Sequence, residues 1–272
     1  HPPLVLAILD GYGVARPSRG NAIRLADTPT MDTLARQFPS TVLAAAGTDV
    51  GLPAGQAGNA EAGHLNIGGG RVVPQDSVRI SRAITNGTFF KNSALLQAIQ
   101  AAQSRRSKLH LMGLVSEEQS AHADPDHLLA LLTLVRLKRV QRVFLHLFTD
   151  GRDANPTRGL SLVEKLGRGL PPNVKIATIM GRSYAMDRKK DWKRTALAYH
   201  CLTRGEGLSS ATALEAVRDA YERGQTDEFI FPTVITSMAK TGRIGPRDSV
   251  IFFNLRSDRA RQLTKAFVQS SF

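Results

Sequence analysis

Apolar positions along this chain follow two rhythms, and their alternation predicts its elements. Short unbroken apolar runs read as strands buried on both faces. They fall at 4–9, 108–115, 140–148, 174–180 and 250–254, with a shorter one at 41–45. Apolar residues three or four apart predict helices over 21–26, 30–38, 75–86, 93–102, 127–135, 159–166, 191–203, 211–223 and 258–268. Residues 229–235 read as extended and carry Pro232. Strands alternating with helices imply the α/β class. The character of the chain shifts past Val73, and two domains are expected, 1–73 and 74–272.

The stretch 51–71 reads GLPAGQAGNAEAGHLNIGGGR. Gly and Asn gather ahead of Ala60, and Glu61, Gly63, His64 and Asn66 follow at helical spacing. A loop therefore runs into a helix N-terminus. Free N–H groups and the positive dipole end suit an anion there, phosphate above all. A hydroxyl at the first helical position would be placed to attack that phosphate, but Ala60 has none. Other candidates sit where predicted strands end. Asp10 closes the first. Arg152 and Asp153, then Arg182 and Arg188, then Arg256 and Arg259 follow later ones. In a doubly wound sheet such ends converge on one crevice. Arg pairs bidentately with phosphate and carboxylate and stays charged.

The run GNAEAGHLNIGGGRVV resembles the nucleophile segment of the cofactor-independent phosphoglycerate mutases, where Ser usually stands in place of Ala60. The resemblance extends from LAILDGYG to FFNLRSDRARQLTKAF, almost the whole chain. It implies an alkaline-phosphatase-like partial sheet in 1–73, followed by an inserted α/β transferase domain in 74–272. Asp10 matches a family metal ligand, although Tyr12 stands where the family commonly has Trp. The motifs DGRD, GRSYAMDR and NLRSDR match substrate-binding residues. The resemblance thus assigns Arg152, Arg182, Arg188, Arg256 and Arg259 to phosphoglycerate, and Asp153 to acid/base work. His122 is less settled. The family loop reads like SDGGVHSH, whereas here Ser116 leads through Glu117 and Glu118 to His122 and His127 with one extra residue and no glycine. His122 is either a substrate residue or a solvent-exposed histidine. The family uses two metal ions, usually manganese. Asp10 is the only ligand matched, so the chain as given is expected to bind none. The other ligands would lie beyond Phe272, and the first domain's half-sheet would need a cover, from further chain or a partner protein.

Composition adds limits. Hydrophobic residues make up 42% of the 272, enough for a core. No apolar run approaches about 20 residues, so no membrane span is expected. Cys201 stands alone, which leaves no intramolecular disulfide and fits a reducing, intracellular setting, cytoplasm or organelle matrix. The chain opens His1-Pro2-Pro3 without Met, and no leader can be read from it. The net charge of +13 exceeds what a small anionic substrate asks for. Part of the surplus falls on Arg105, Arg106, Lys108, Arg136, Lys138, Arg139 and Arg142. These read either as solvated surface or as attachment to a polyanion such as RNA. Three functional readings follow. The first is a silent mutase relative, a pseudoenzyme serving as scaffold or structural subunit, with a nucleoprotein assembly such as an organellar ribosome as one candidate. The second is a genuine manganese-dependent mutase interconverting 3- and 2-phosphoglycerate in glycolysis, seen as a Ser-to-Ala variant or a partial chain. The third is a phosphate-sensing domain.

Overall fold

A computed structural model describes residues 2–116, 120 and 122–270. The chain forms two compact units, His1–Val78 and Arg79–Phe272. The division falls a few residues past the sequence-based boundary at Val73.

The first unit carries α1 (Ala22–Leu25), α2 (Pro29–Gln37) and α3 (Ala60–Gly69). Its one tight region surrounds α3. Val50, Leu52 and Ala62 are buried together. Asn66 ties the region by donating to the Val50 carbonyl at 3.0 Å and accepting from the Val73 N–H at 2.8 Å. Gly51 adopts φ +77°, and a Cβ there would run into the Val73 carbonyl. The strands expected at 4–9 and 41–45 do not form among the described residues. Leu4 is 97% and Leu43 82% exposed. An apolar run becomes a strand only when a neighbouring strand takes its N–H and C=O groups, and no ladder partner is present here among the described residues. The α/β class stands, but it rests on the second unit.

The division between the units falls within α4 (Asp76–Thr85). The second unit then alternates strand and helix. It runs through α5 (Ser93–Ser104), β1 (Leu109–Leu114), α6 (Pro125–Leu137), β2 (Val143–Thr149), α7 (Gly159–Gly169) and β3 (Val174–Gly181). It continues through α8 (Arg182–Ala185), α9 (Trp192–Arg204), β4 (Leu208–Ser210), α10 (Ala213–Glu222), β5 (Thr233–Ile235), β6 (Ser249–Phe252) and α11 (Ser257–Val268). The sheet order is β4-β5-β3-β2-β1-β6. β1, β2, β3 and β6 are parallel, while β5 runs antiparallel to β3.

Every residue of β1 and β2 is buried, which explains their unbroken apolar pattern. Leu109, Leu111, Leu145 and Leu147 pack with α5, α6, α7 and α10 in one cluster. Met112, Leu114 and Phe148 pack with α9 and α11 in another. The sheet is therefore covered on both faces. Two short elements, β4 and α8, and the reversed direction of β5 had no periodic signal long enough to predict them. No helix among the described residues is long and apolar enough to cross a membrane.

A polar chain crosses this core. His110 Nε2 lies 3.3 Å from Asp248, His110 Nδ1 lies 2.9 Å from His146 Nε2, and His146 Nδ1 lies 2.9 Å from the Thr178 hydroxyl. Burial opposes the Asp248 charge, but His110, Lys108 and the Gly245 N–H hold its carboxyl well below the usual range. Ionised Asp248 can only accept, so His110 Nε2 carries hydrogen. Burial holds both imidazoles neutral. His146 therefore donates to His110, and Thr178 donates to His146.

Candidate functional site

The parallel strands of the second unit all end on one side. Chain direction across the sheet reverses at β1, which has β2 on one flank and β6 on the other. Ligands of open α/β sheets bind at such a switch point, outside the strand carboxyl ends. The loops leaving β1, β2, β3 and β6 bring the predicted second-unit residues to this place.

The turn after β2 is built on Asp150, buried at 5% exposure. Its Oδ1 accepts the N–H groups of Arg152 at 3.1 Å and Asp153 at 3.0 Å. The same oxygen accepts Arg182 Nη1 at 2.6 Å. Gly151 between them sits at φ +65°, and a Cβ there would come 2.5 Å from the Glu228 nitrogen, so only glycine fits. Arg182 opens α8 directly after β3 and is 3% exposed. Its Nη1 also donates to Asp153 Oδ2 at 2.6 Å. Burial alone would raise the Asp153 carboxyl. The hydrogen bond and charge of Arg182, with His122 and Arg152, outweigh it and hold the group below its ordinary value. Asp153 is thus an ionised carboxylate.

His122 is 4% exposed, and its Nε2 lies 3.3 Å from Asp153 Oδ2. The solvent-exposed alternative for this residue is wrong. The end of β6 closes over the loop, because the Leu255 N–H donates to the His122 carbonyl at 2.9 Å. Burial first, then the charge of Arg182, push the imidazole down to about 4, with Arg256 and Arg259 adding and Asp153 opposing. Glu117 and Glu118, expected in the same loop, lie outside the described residues.

Asp258 gathers three more of the predicted cations. It lies 3.1 Å from Arg188 Nη1, 3.2 Å from Arg256 Nε and 3.9 Å from Arg259 Nε. Burial would raise this carboxyl too, but Arg256, Arg188 and Arg259 lower it. Burial, then the like charges of Arg188 and Arg182, lower Arg259. Arg152 stands at the rim, 3.8 Å from Glu228. Several buried polar atoms in this group have no hydrogen-bond partner among the described residues: Arg182 Nη2, Arg259 Nε, Asn254 Nδ2 and His122 Nδ1. Buried donors left open beside an Arg cluster fit an anionic ligand. Asp150 and Asp153 also line a cavity of about 250 Å³.

Sequence reasoning missed Asp150, Asp258 and Asn254. The signal was present, since each lies inside or beside a motif already singled out (TDGRD, FFNLRSDR). Their work is to hold arginines or backbone, which residue type alone does not reveal.

In the first unit, Ala60 is the first residue of α3, as the sequence implied, and Asn59 caps the helix by accepting the Ala62 N–H at 2.9 Å. Ala60 is exposed and presents a methyl group. Asp10 lies exposed in a turn. Among the described residues no group of three or more His, Cys, Asp or Glu could hold a metal ion. The residues described here do not by themselves fit the two-metal centre that the resemblance implied.

The model of the BPG-independent PGAM N-terminus family matches residues 80–272. A 2,3-bisphosphoglycerate-independent phosphoglycerate mutase of Synechococcus elongatus is 49% identical over 273 residues, 99% of this chain and 50% of that protein. The mutase of Moorella thermoacetica is 49% identical over 276 residues, 99% of this chain and 53% of its own. The chain thus spans about half the length of these relatives. Among solved structures, Leishmania mexicana phosphoglycerate mutase at low cobalt concentration aligns with TM-score 0.81 and 26% identity, over 97% of this chain and 51% of that one.

Proposed function

Because the chain belongs to the BPG-independent phosphoglycerate mutase family, we propose that its second unit is the phosphoglycerate-binding part of such an enzyme. One observation carries this reading. Five arginines meet at the switch point of a doubly wound sheet, two of them with buried donor atoms that no described residue takes up in a hydrogen bond. Arg182, Arg188, Arg256 and Arg259 supply forks for a phosphate and a carboxylate on one small molecule. Asp153 is ionised and sits against a neutral His122, a pair suited to moving a proton on a glycerate hydroxyl.

We assign the domains as 1–73, phosphatase-like, and 74–272, substrate-binding. Phosphoryl transfer needs a nucleophile at position 60, and the Ala60 methyl cannot form a phosphoenzyme. The chain as given therefore binds without turning over. Replacing Ala60 with Ser alone does not start the reaction, because no metal centre is assembled by the described residues. The apolar segments at 4–9 and 41–45 are to be covered by further polypeptide. The relatives, named as mutases, lend no support to a scaffold role.

Calorimetry with 3-phosphoglycerate tests the binding. The expected dissociation constant is about 0.1–10 mM, the range for a clamp without metals. The Arg256→Ala, Arg259→Ala variant should lose the signal. Equal, negligible heats from both proteins would mean the pocket is vestigial.

A further inference from the structure

The opposite end of the same sheet carries a second set of cations, and their setting differs. Arg105 and Arg106 lie in the turn before β1, and Arg136, Lys138, Arg139 and Arg142 lie before β2. All six are exposed, and none takes part in an ion pair among the described residues. No Asp or Glu occurs between 93 and 116 or between 127 and 149.

Hydrogen bonds join these turns into one surface. β1 and β2 are neighbours with Leu109 opposite Val143. The Arg142 guanidinium donates to the Arg106 carbonyl. Gln103 Nε2 donates to the Lys138 carbonyl at 2.8 Å. Lys108, itself paired with Asp248, donates to the Thr241 and Arg243 carbonyls, which draws Arg243 to the rim. The turns are therefore a tied platform: Arg142 spends part of its guanidinium on the tie, and Arg105, Arg106, Arg136, Lys138 and Arg139 stand exposed on it.

Backbone conformation adds an independent observation. α5 ends with the Arg106 N–H donating to Gln103 and the Ser107 N–H to Ala102. α6 ends identically, Arg139 to Arg136 and Val140 to Val135. This two-bond ending requires a left-handed residue, normally glycine. α10 follows the rule with Gly224 at φ +73°. The two platform helices instead place arginine there, Arg106 at φ +51° and Arg139 at φ +52°. The chain accepts an unfavourable backbone at both positions, and each time keeps an exposed guanidinium.

We propose that this platform binds the phosphate backbone of a nucleic acid, without reading its sequence. Arginine outnumbers lysine, which favours phosphate oxygens. A lipid surface is the lesser fit, because membrane-surface elements interleave bulky apolar side chains with their cations, and of the two turns only Leu137 is an exposed large hydrophobic residue. The proposal is independent of the phosphoglycerate site, which lies at the other ends of these strands.

Fluorescence anisotropy on the whole chain tests it. The probes are labelled single-stranded RNA and duplex DNA of about 20 units, at about 50 and 200 mM salt. We expect binding that weakens at least tenfold across that salt range, roughly as several phosphate contacts require. The arm that binds more tightly identifies the strand type. The Arg106→Gly, Arg139→Gly variant should bind about fivefold or more weakly, yet melt at the same or a higher temperature, because glycine takes this conformation freely. The Arg256→Ala, Arg259→Ala variant should bind as the parent does. No binding by the parent overturns the proposal. So does undiminished binding by the glycine variant, a lowered Tm for it, loss of binding in the pocket variant, or tighter binding to phosphatidylserine vesicles than to either nucleic acid.

Discussion

Residues 4–9 and 109–114 read almost alike in sequence, LVLAIL and LHLMGL. In the first unit Leu4 and Val5 are 97% and 82% exposed; in the second, Leu109 and Leu111 are fully buried. Composition and local propensity do not account for the contrast. β1 has β2 on one side and β6 on the other, with helices against both faces, and the first run has no ladder partner among the described residues. An apolar run states a demand for partners, and the rest of the chain decides whether the demand is met.

The largest test of this contrast is truncation of a core ring. Phe148→Ala should cost about 3–5 kcal/mol, whereas Leu6→Ala should stay within about 0.5 kcal/mol. Urea unfolding reports both. A Leu6→Ala loss comparable to that of Phe148→Ala would mean the first run is already packed in solution.

Burial also makes the second unit sensitive to acid through His122. Its folded value of about 4 lies below the ordinary 6.5. Between those values the unfolded chain takes up a proton that the folded chain refuses, so stability falls as pH drops from 6.5 towards 4. The loss from this group is at most about 3 kcal/mol and ends below the folded value. His122→Gln should flatten that part of the profile. Bound phosphate should neutralise the facing arginines and raise the imidazole, which NMR titration would detect. An imidazole titrating near 6.5 without ligand would refute the burial argument.

The smallest test uses one cap in two settings. Asn92 accepts the Leu95 N–H at 3.1 Å at the start of α5, and Asn59 does the same for Ala62 at 2.9 Å at the start of α3. Asn92→Ala should cost about 1 kcal/mol of the second unit's stability. Asn59→Ala should leave that transition in place. If both shift it equally, the two units unfold as one.

The strands and helices of the second unit were legible because each buried face repeats a period long enough to see. β4 has three residues and α8 four, too short for any period. The site was legible where the chain commits a charge to a strand end, as with Arg152, Asp153, Arg182 and Arg256. It was illegible where a residue acts on another's position. Asp150 looks like any turn aspartate until its Oδ1 is seen to accept three donors. His122 was ambiguous because its burial depends on β6, some 130 residues further along.

The chain from Thr178 through His146 and His110 to Asp248 acts as a checksum on strand order. Each link fixes the hydrogen of the next, so the message has one reading and one direction. A slip of β2 by a single residue would turn Leu145 or Leu147 towards the place of His146. His110 Nδ1 and the Thr178 hydroxyl would then face hydrocarbon with nothing to answer them. A wrongly threaded sheet thus carries its own error flag at its centre and reopens, while the correct one locks.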